Sequence, residues 1–388
     1  MLTLLADFGF TMIISQYVSY ESVGLKLSRG LVRGKERDID RIKGLIDYSL
    51  KFYFYVLPCV FILAFSGGAW VLYDQGSQVL VAWLVFSFLS TCNVFLSLLF
   101  SIYQGFDQVV EASKARSIGL WVAPLVAILC LMLGLEIWSL PISLFAQIIS
   151  SSFFHFSRNI LFWRQILRNS AVSEHDWSKK LIPLQAKYFI SWASGFAIMH
   201  LFVPVIYKTE GAILAGQVGM MLSVIKSLTN ISNTWLDSKL PKLNSLAKVR
   251  DKNAFDFLFY RCAKLGYIFF FVNALILVSI VFVLTEFDLL ADRLIPVGIL
   301  SLFLLSELAF VKVGFMAKYL RAHMEEPFYM VSLFSAIGIS LITFLVTPTF
   351  GVFTLSIAVL VFHWIFILPY GLKVFRNSIL RFYPPNTN

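Results

Sequence analysis

The sequence predicts an all-α integral membrane protein, and three observations predict it. Of the 388 residues, 59% are hydrophobic and only 14% are charged, whereas soluble domains carry about 25% charged residues. The mean hydropathy is +0.79. The apolar residues gather into eleven runs, each close to the roughly 20 residues that a helix needs to cross the hydrocarbon core. The period-two alternation of a transmembrane barrel is absent, so each crossing segment must satisfy its backbone as a helix.

The runs are 1–20, 52–73, 78–103, 117–134, 137–156, 185–207, 211–236, 265–285, 294–316, 327–346 and 350–372. Pro58, Pro124, Pro141 and Pro204 fall inside or at the ends of them, which a membrane helix tolerates where neighbours satisfy the freed carbonyls. Only Leu135 and Glu136 separate the fourth and fifth runs, so these two form a tight hairpin. Cys59, Cys92, Cys130 and Cys262 are scattered and make no CxxC pair. Neither a metal site nor a disulfide framework is expected.

Basic residues set the orientation. Twenty-eight of the 32 Lys and Arg residues follow odd-numbered runs, and the opposite loops hold only Lys208 and Arg293. By the positive-inside rule the basic side is cytoplasmic, which puts the C-terminus in the cytoplasm and Met1 outside it. The net charge of +10 is then a topology signal rather than a nucleic-acid footprint, with contact to anionic membrane lipid as a secondary role. The basic cytoplasmic stretch after run five divides the chain into 1–156 with five spans, a cytoplasmic linker at 157–180 and 181–388 with six. The expected architecture is two helical lobes, five plus six transmembrane helices, around a central cleft. Span one and its basic, aromatic-rich sequel echo span seven and its sequel, as internal transporter repeats do. On this match the chain reads as a twelve-span protein without its first helix.

Lys226 is the most informative single residue. It lies near the middle of span seven, where a lone ammonium costs roughly 2.5–3.5 kcal/mol. Steps of three and four link it to Gly219, Ser223, Asn230 and Asn233, a small and polar stripe on one helix face. A structural ion pair with another helix explains such a lysine, and so does a cationic site for an anionic substrate. Trp192, Tyr188 and His200 on the preceding helix offer aromatic surface, which serves equally as core or interfacial belt. Glu307 and Lys312 share span nine but stand about 140° apart around the helix. Glu307 is a candidate for charge pairing with Lys226 or for proton coupling, and Lys312 and Asp7 are further intramembrane charges. His155 and His363 are expected to be interfacial or packed rather than catalytic. Ala212, Ala215, Gly216 and Gly219 form a small-residue face of the kind that packs helices in lipid.

Several strings resemble the bacterial polysaccharide flippases, the Wzx-type O-antigen translocases of the MATE-like MOP superfamily. They are Ala6–Phe10 with Gln16–Glu21; Pro183–Gln185 with Ser191–Phe196; Ala215–Met220; Trp235 with Lys239 and Pro241; and Tyr319–His323 with Glu325–Phe328. Their order and spacing carry the resemblance over nearly the whole chain. It implies a transporter of the bacterial inner membrane, not an enzyme, with no cofactor. Such a protein flips undecaprenyl-pyrophosphate-linked oligosaccharide by alternating access, with Lys226, Ser223, Asn230, Asn233 and Trp192 as candidate substrate contacts. The expected partners are the lipid-linked oligosaccharide and membrane lipids, with other polysaccharide-assembly proteins left open and nucleic acid excluded. A MATE-type exporter of small molecules, a membrane enzyme of polysaccharide assembly and a non-transporting remnant are the alternatives. The enzyme lacks a sizeable catalytic loop and any nucleophile–base spacing. No GxxxxGK[ST] loop is present for ATP.

Overall fold

The computed structural model describes residues 9–28, 30–73, 76–167, 177–287 and 293–383. They are helical apart from one short hairpin and the connecting turns. The elements are α1 (Phe10–Glu21), β1 (Lys26–Ser28), β2 (Leu31–Arg33), α2 (Glu36–Leu72), α3 (Ser77–Gly105), α4 (Val109–Met132) and α5 (Ser139–Leu167). They continue as α6 (Ser178–Glu210), α7 (Ala212–Asp237), α8 (Leu240–Val249), α9 (Lys252–Glu286), α10 (Val297–Ala322), α11 (Tyr329–Phe362) and α12 (Leu368–Phe382). Among the described residues, nine helical stretches are long and apolar enough to cross a membrane. Their outer faces carry Trp121, Phe153 and Leu345 fully out of the packed interior, as lipid contact requires. The chain is a multi-pass membrane protein.

The count of nine differs from the eleven expected runs at two places. The last stretch, Tyr329–Phe382, spans 54 residues, far beyond one crossing. It reverses at Gly351, whose φ of 72° and ψ of 179° are open essentially to glycine alone. The rings of Phe334 and Phe362 lie 5.7 Å apart, although 28 residues of straight helix would separate them by about 42 Å. Runs ten and eleven are therefore the two arms of a hairpin. Run one begins in residues 1–8, outside the described residues, and appears as the 12-residue α1.

Inter-residue contacts divide the chain into two units, Met1–Gln185 and Ala186–Asn388, and the division falls inside α6. In the first unit α4 and α5 form the expected hairpin, turned by Gly134 and the short 3-10 turn Glu136–Trp138. The basic stretch after α1 is not an open loop. Its β1–β2 hairpin is gripped by Gln165, whose side-chain amide donates to the Val32 carbonyl at 2.8 Å and whose oxygen accepts from the Val32 N–H at 2.7 Å. The start of α2 then buries Ile42, Leu45 and Ile46. The segment expected as a linker, 157–180, is helical over 157–167, because Phe162, Trp163 and Ile166 at helical spacing are buried. Residues 168–176 of that segment lie outside the described residues. At Asn159 the α5 backbone leaves helical geometry. The Asn159 amide donates to the His155 carbonyl at 3.0 Å and accepts from the Tyr103 hydroxyl at 2.7 Å, which holds the bend.

In the second unit α10 is the most enclosed helix, with 15 buried residues. Its Phe315 and the Ser232 carbonyl of α7 press on Gly266 of α9, where a Cβ would come within 2.7 Å of the phenyl ring and 2.9 Å of that carbonyl. Such close approach is how helices gain packing energy in lipid. The small-residue face of α7 is less continuous than its spacing suggests. Ala215 is buried and Gly219 faces Val203, but Ala212 and Gly216 are exposed. His155 accepts a hydrogen bond from Trp163 at 3.0 Å and His363 lies 2.5 Å from the Ser306 hydroxyl. Both are packed, one of the two placements expected.

Beyond the end of α10, His323 pins the C-terminal helix. Its ring stacks on Phe382 at 4.5 Å and its Nε2 meets the Tyr383 hydroxyl at 3.0 Å. Burial pushes the imidazole below its ordinary range, against the opposing pull of the Tyr319 carbonyl, Asp256 and Glu325. A depressed folded-state value means that the unfolded chain binds the proton more readily, so this stability is present at neutral pH and lost as pH falls through the ordinary histidine range near 6.5. Thermal unfolding in detergent should therefore shift down between about pH 8 and about pH 5.5, and His323→Phe should remove part of that shift.

Candidate functional site

The candidate site lies on α7 and its neighbours within the second unit. The sequence stripe of Gly219, Ser223, Lys226, Asn230 and Asn233 divides in two. Ser223, Lys226 and Asn230 are exposed. Lys226 makes no ion pair among the described residues, and the Ser223 hydroxyl turns back to its own helix, donating to the Gly219 carbonyl at 2.8 Å. Asn233 is instead turned to α10, where its side-chain oxygen accepts from Lys318 Nζ at 2.9 Å. It is a member of an interhelical seam rather than of the open face.

That seam follows a second stripe, Lys226, Thr229, Asn233 and Asp237, which obeys the same three- and four-residue steps. Thr229 donates to Glu307 at 2.8 Å, and Lys318 reaches Asp237 at 2.5 Å. Glu307 and Lys318 stand eleven residues apart on α10, about three helical turns, so both face α7. Glu307 thus has Thr229, not Lys226, as its hydrogen-bond partner, and Lys226 acts on it only through space. Lys318 is buried, its side chain 10% exposed, whereas the Asp237 side chain is 48% exposed.

A second polar cluster closes the end of α10. The buried Glu326 accepts from Arg321 Nη2 and from the Ser191 hydroxyl, each at 2.9 Å, and also pairs with Arg321 Nε. The guanidinium lies over the Tyr188 ring, 5.1 Å from its centroid. Tyr188 is therefore part of the packed interior rather than a free stacking platform. Trp192 is half-buried and stacks on Phe196 at 5.6 Å, and Phe196 lies 4.2 Å from the His200 ring. These three rings form a ladder at four-residue steps along α6. Lys312 is exposed, and Asp7 lies outside the described residues.

Sequence reasoning missed Thr229, Asp237, Lys318, Arg321 and Glu326. The spacing of Thr229, Asn233 and Asp237 was a usable signal, but two stripes share Lys226 and Asn233, and spacing alone does not choose between them. Among the described residues no group of three or more His, Cys, Asp or Glu side chains is placed to hold a metal ion.

The fold defines a class: a polytopic α-helical membrane protein with the architecture of MATE transporters. The chain is similar to a crystal structure of MATE in the bent conformation, with a TM-score of 0.70 at 11% identity over 98% of this chain and 84% of that one. It is similar to a multidrug resistance MATE family transporter of the MOP superfamily in an outward-facing conformation, with a TM-score of 0.68 at 10% identity over 99% and 86%. It is also similar to a MOP superfamily transporter from Pyrococcus furiosus, for which a binding pocket of reverse polarity suggests a different function, with a TM-score of 0.64 at 12% identity over 98% and 85%. No protein-family model matches the sequence, and no curated protein does. At such identities the likeness is one of fold.

Proposed function

We infer that this protein is a membrane transporter for a substrate with an anionic head group, and that the substrate is an undecaprenyl-pyrophosphate-linked oligosaccharide flipped across the bacterial inner membrane. The observation that carries the reading is Lys226. It is an exposed ammonium near mid-span, without an ion pair among the described residues and flanked by exposed Ser223 and Asn230. An intramembrane cation of this kind is costly and is retained where it meets a ligand or water. A pyrophosphate supplies the opposite charge, and hydroxyl and amide side chains suit a sugar. The flippase-like strings quoted above and the MATE-like fold support the transporter class.

A second reading, a small-molecule exporter, is favoured by Glu307, a carboxylate at the same level of the seam that would attract a cation. The two readings differ in the sign of the transported group. Proteoliposomes loaded with a fluorescent polyprenyl-pyrophosphate oligosaccharide or with a cationic dye separate them. Protein-dependent movement of the anionic lipid, with none of the dye, is the expected result. Movement of the dye alone overturns the flippase reading.

A further inference from the structure

We propose that Lys318 is a second anion-binding cation of the site, held in reserve by Asp237, which occupies the place of the incoming phosphate until substrate arrives. The inference rests on the reading of Lys226 as an anion site and adds a second residue and an order of contact to it.

The two partners of the Lys318–Asp237 pair are not equivalent. The lysine is buried and has a neutral anchor, the Asn233 oxygen at 2.9 Å. The carboxylate is half exposed and is the last residue of α7. At a helix C-terminus the backbone carbonyls make an anion unfavourable, so Asp237 is held there by Lys318 and not by its own helix. An ammonium has three donors and no acceptor. If Asp237 swings into water, Lys318 keeps its bond to Asn233 and presents the remaining donors to another anion. A phosphate oxygen is the natural replacement, since it accepts the same charge-assisted bond.

Position gives the replacement a direction. Asn233 lies seven residues beyond Lys226 on the shared stripe, about 10.5 Å along the helix axis. Asp237 lies one turn further, at the end that the basic-residue pattern makes cytoplasmic. The charges of Lys226 and Lys318 already act on each other through space, and a divalent anion between them would relieve that repulsion. The head group would meet Lys318 first, displace Asp237, and pass to Lys226 at mid-span.

The test is titration of the full-length protein in lipid nanodiscs with inorganic pyrophosphate, followed by calorimetry. Asp237→Asn removes the internal competitor and should tighten binding on the order of tenfold, the scale of one charge-assisted hydrogen bond. The Asp237→Asn/Lys318→Gln double variant should lose that gain. Because it removes both charges together, it leaves no unpaired buried ion that could prevent folding. Unchanged affinity in Asp237→Asn, or a gain that survives loss of Lys318, overturns the proposal. Lys226→Ala separates the two ideas. Weaker binding in Lys226→Ala with no response to Asp237→Asn sinks this inference and leaves Lys226 standing. A Lys318-dependent gain with no loss in Lys226→Ala does the reverse.

Discussion

Replacing Lys226 with glutamate should abolish the proposed export of a lipid-linked glycan while the protein stays folded in the membrane. The side chain is exposed and makes no ion pair among the described residues, so its loss breaks no packing contact that holds α7. The substitution does invert the local charge. A pyrophosphate at this depth would then face a carboxylate in a medium that screens poorly, where like charges in juxtaposition cost several kcal/mol. At about 1.4 kcal/mol per factor of ten, that removes transport by orders of magnitude. Lys226→Arg keeps the charge and should be milder. Complementation of a flippase-deficient strain, read as surface glycan with protein level measured in parallel, checks this. Normal surface glycan with Lys226→Ala would assign the lysine a structural role only.

The largest loss of stability should come from Glu326→Ala. The Glu326 side chain is fully buried and the Arg321 side chain is 18% exposed. Removing the carboxylate leaves the guanidinium facing Tyr188 with only the through-space charge of Asp237 to offset it and strips the Ser191 hydroxyl of its acceptor. Breaking a buried pair from one side costs about 3–5 kcal/mol, a large share of the roughly 5–15 kcal/mol that keeps a typical protein folded. Glu326→Ala should therefore accumulate poorly and melt at clearly lower temperature, and Glu326→Gln, which keeps an acceptor for Ser191, should lie between. An unchanged melting temperature in Glu326→Ala would mean that Arg321 finds water or another partner at no cost.

These two residues also show what could be read without coordinates. Lys226 stood out from sequence because a charge inside an apolar run is an energetic exception visible in one dimension. Glu326 did not, because it follows Glu325 at the end of a helix among several charges, and nothing in that pattern says which one is buried. The same limit applied to α7. Three- and four-residue steps identify every residue on a face, but two overlapping faces carry polar groups, and only the neighbouring α10 determines that Asn233 and Asp237 turn inward while Ser223 and Asn230 stay open. The surroundings of Glu307 were illegible for a related reason. Its hydrogen bond comes from Thr229 at 2.8 Å while Lys226 acts on it through space, and a seam is set by register between helices, which no single helix specifies.

The sequence by itself determined the class of this protein, the positions of its membrane runs and the tight hairpin between runs four and five. Those follow from local rules: hydrocarbon admits about 20 apolar residues per crossing, and a helix keeps its backbone satisfied within the segment. Tertiary structure alone decided the reversal at Gly351 as a turn of a single residue, the docking of the basic β-hairpin on Gln165 and the division of polar side chains between an open face and a closed seam. Each of these depends on which distant segment lies alongside. In lipid that choice is made by close packing and interhelical hydrogen bonds, which belong to pairs of segments and not to any one of them.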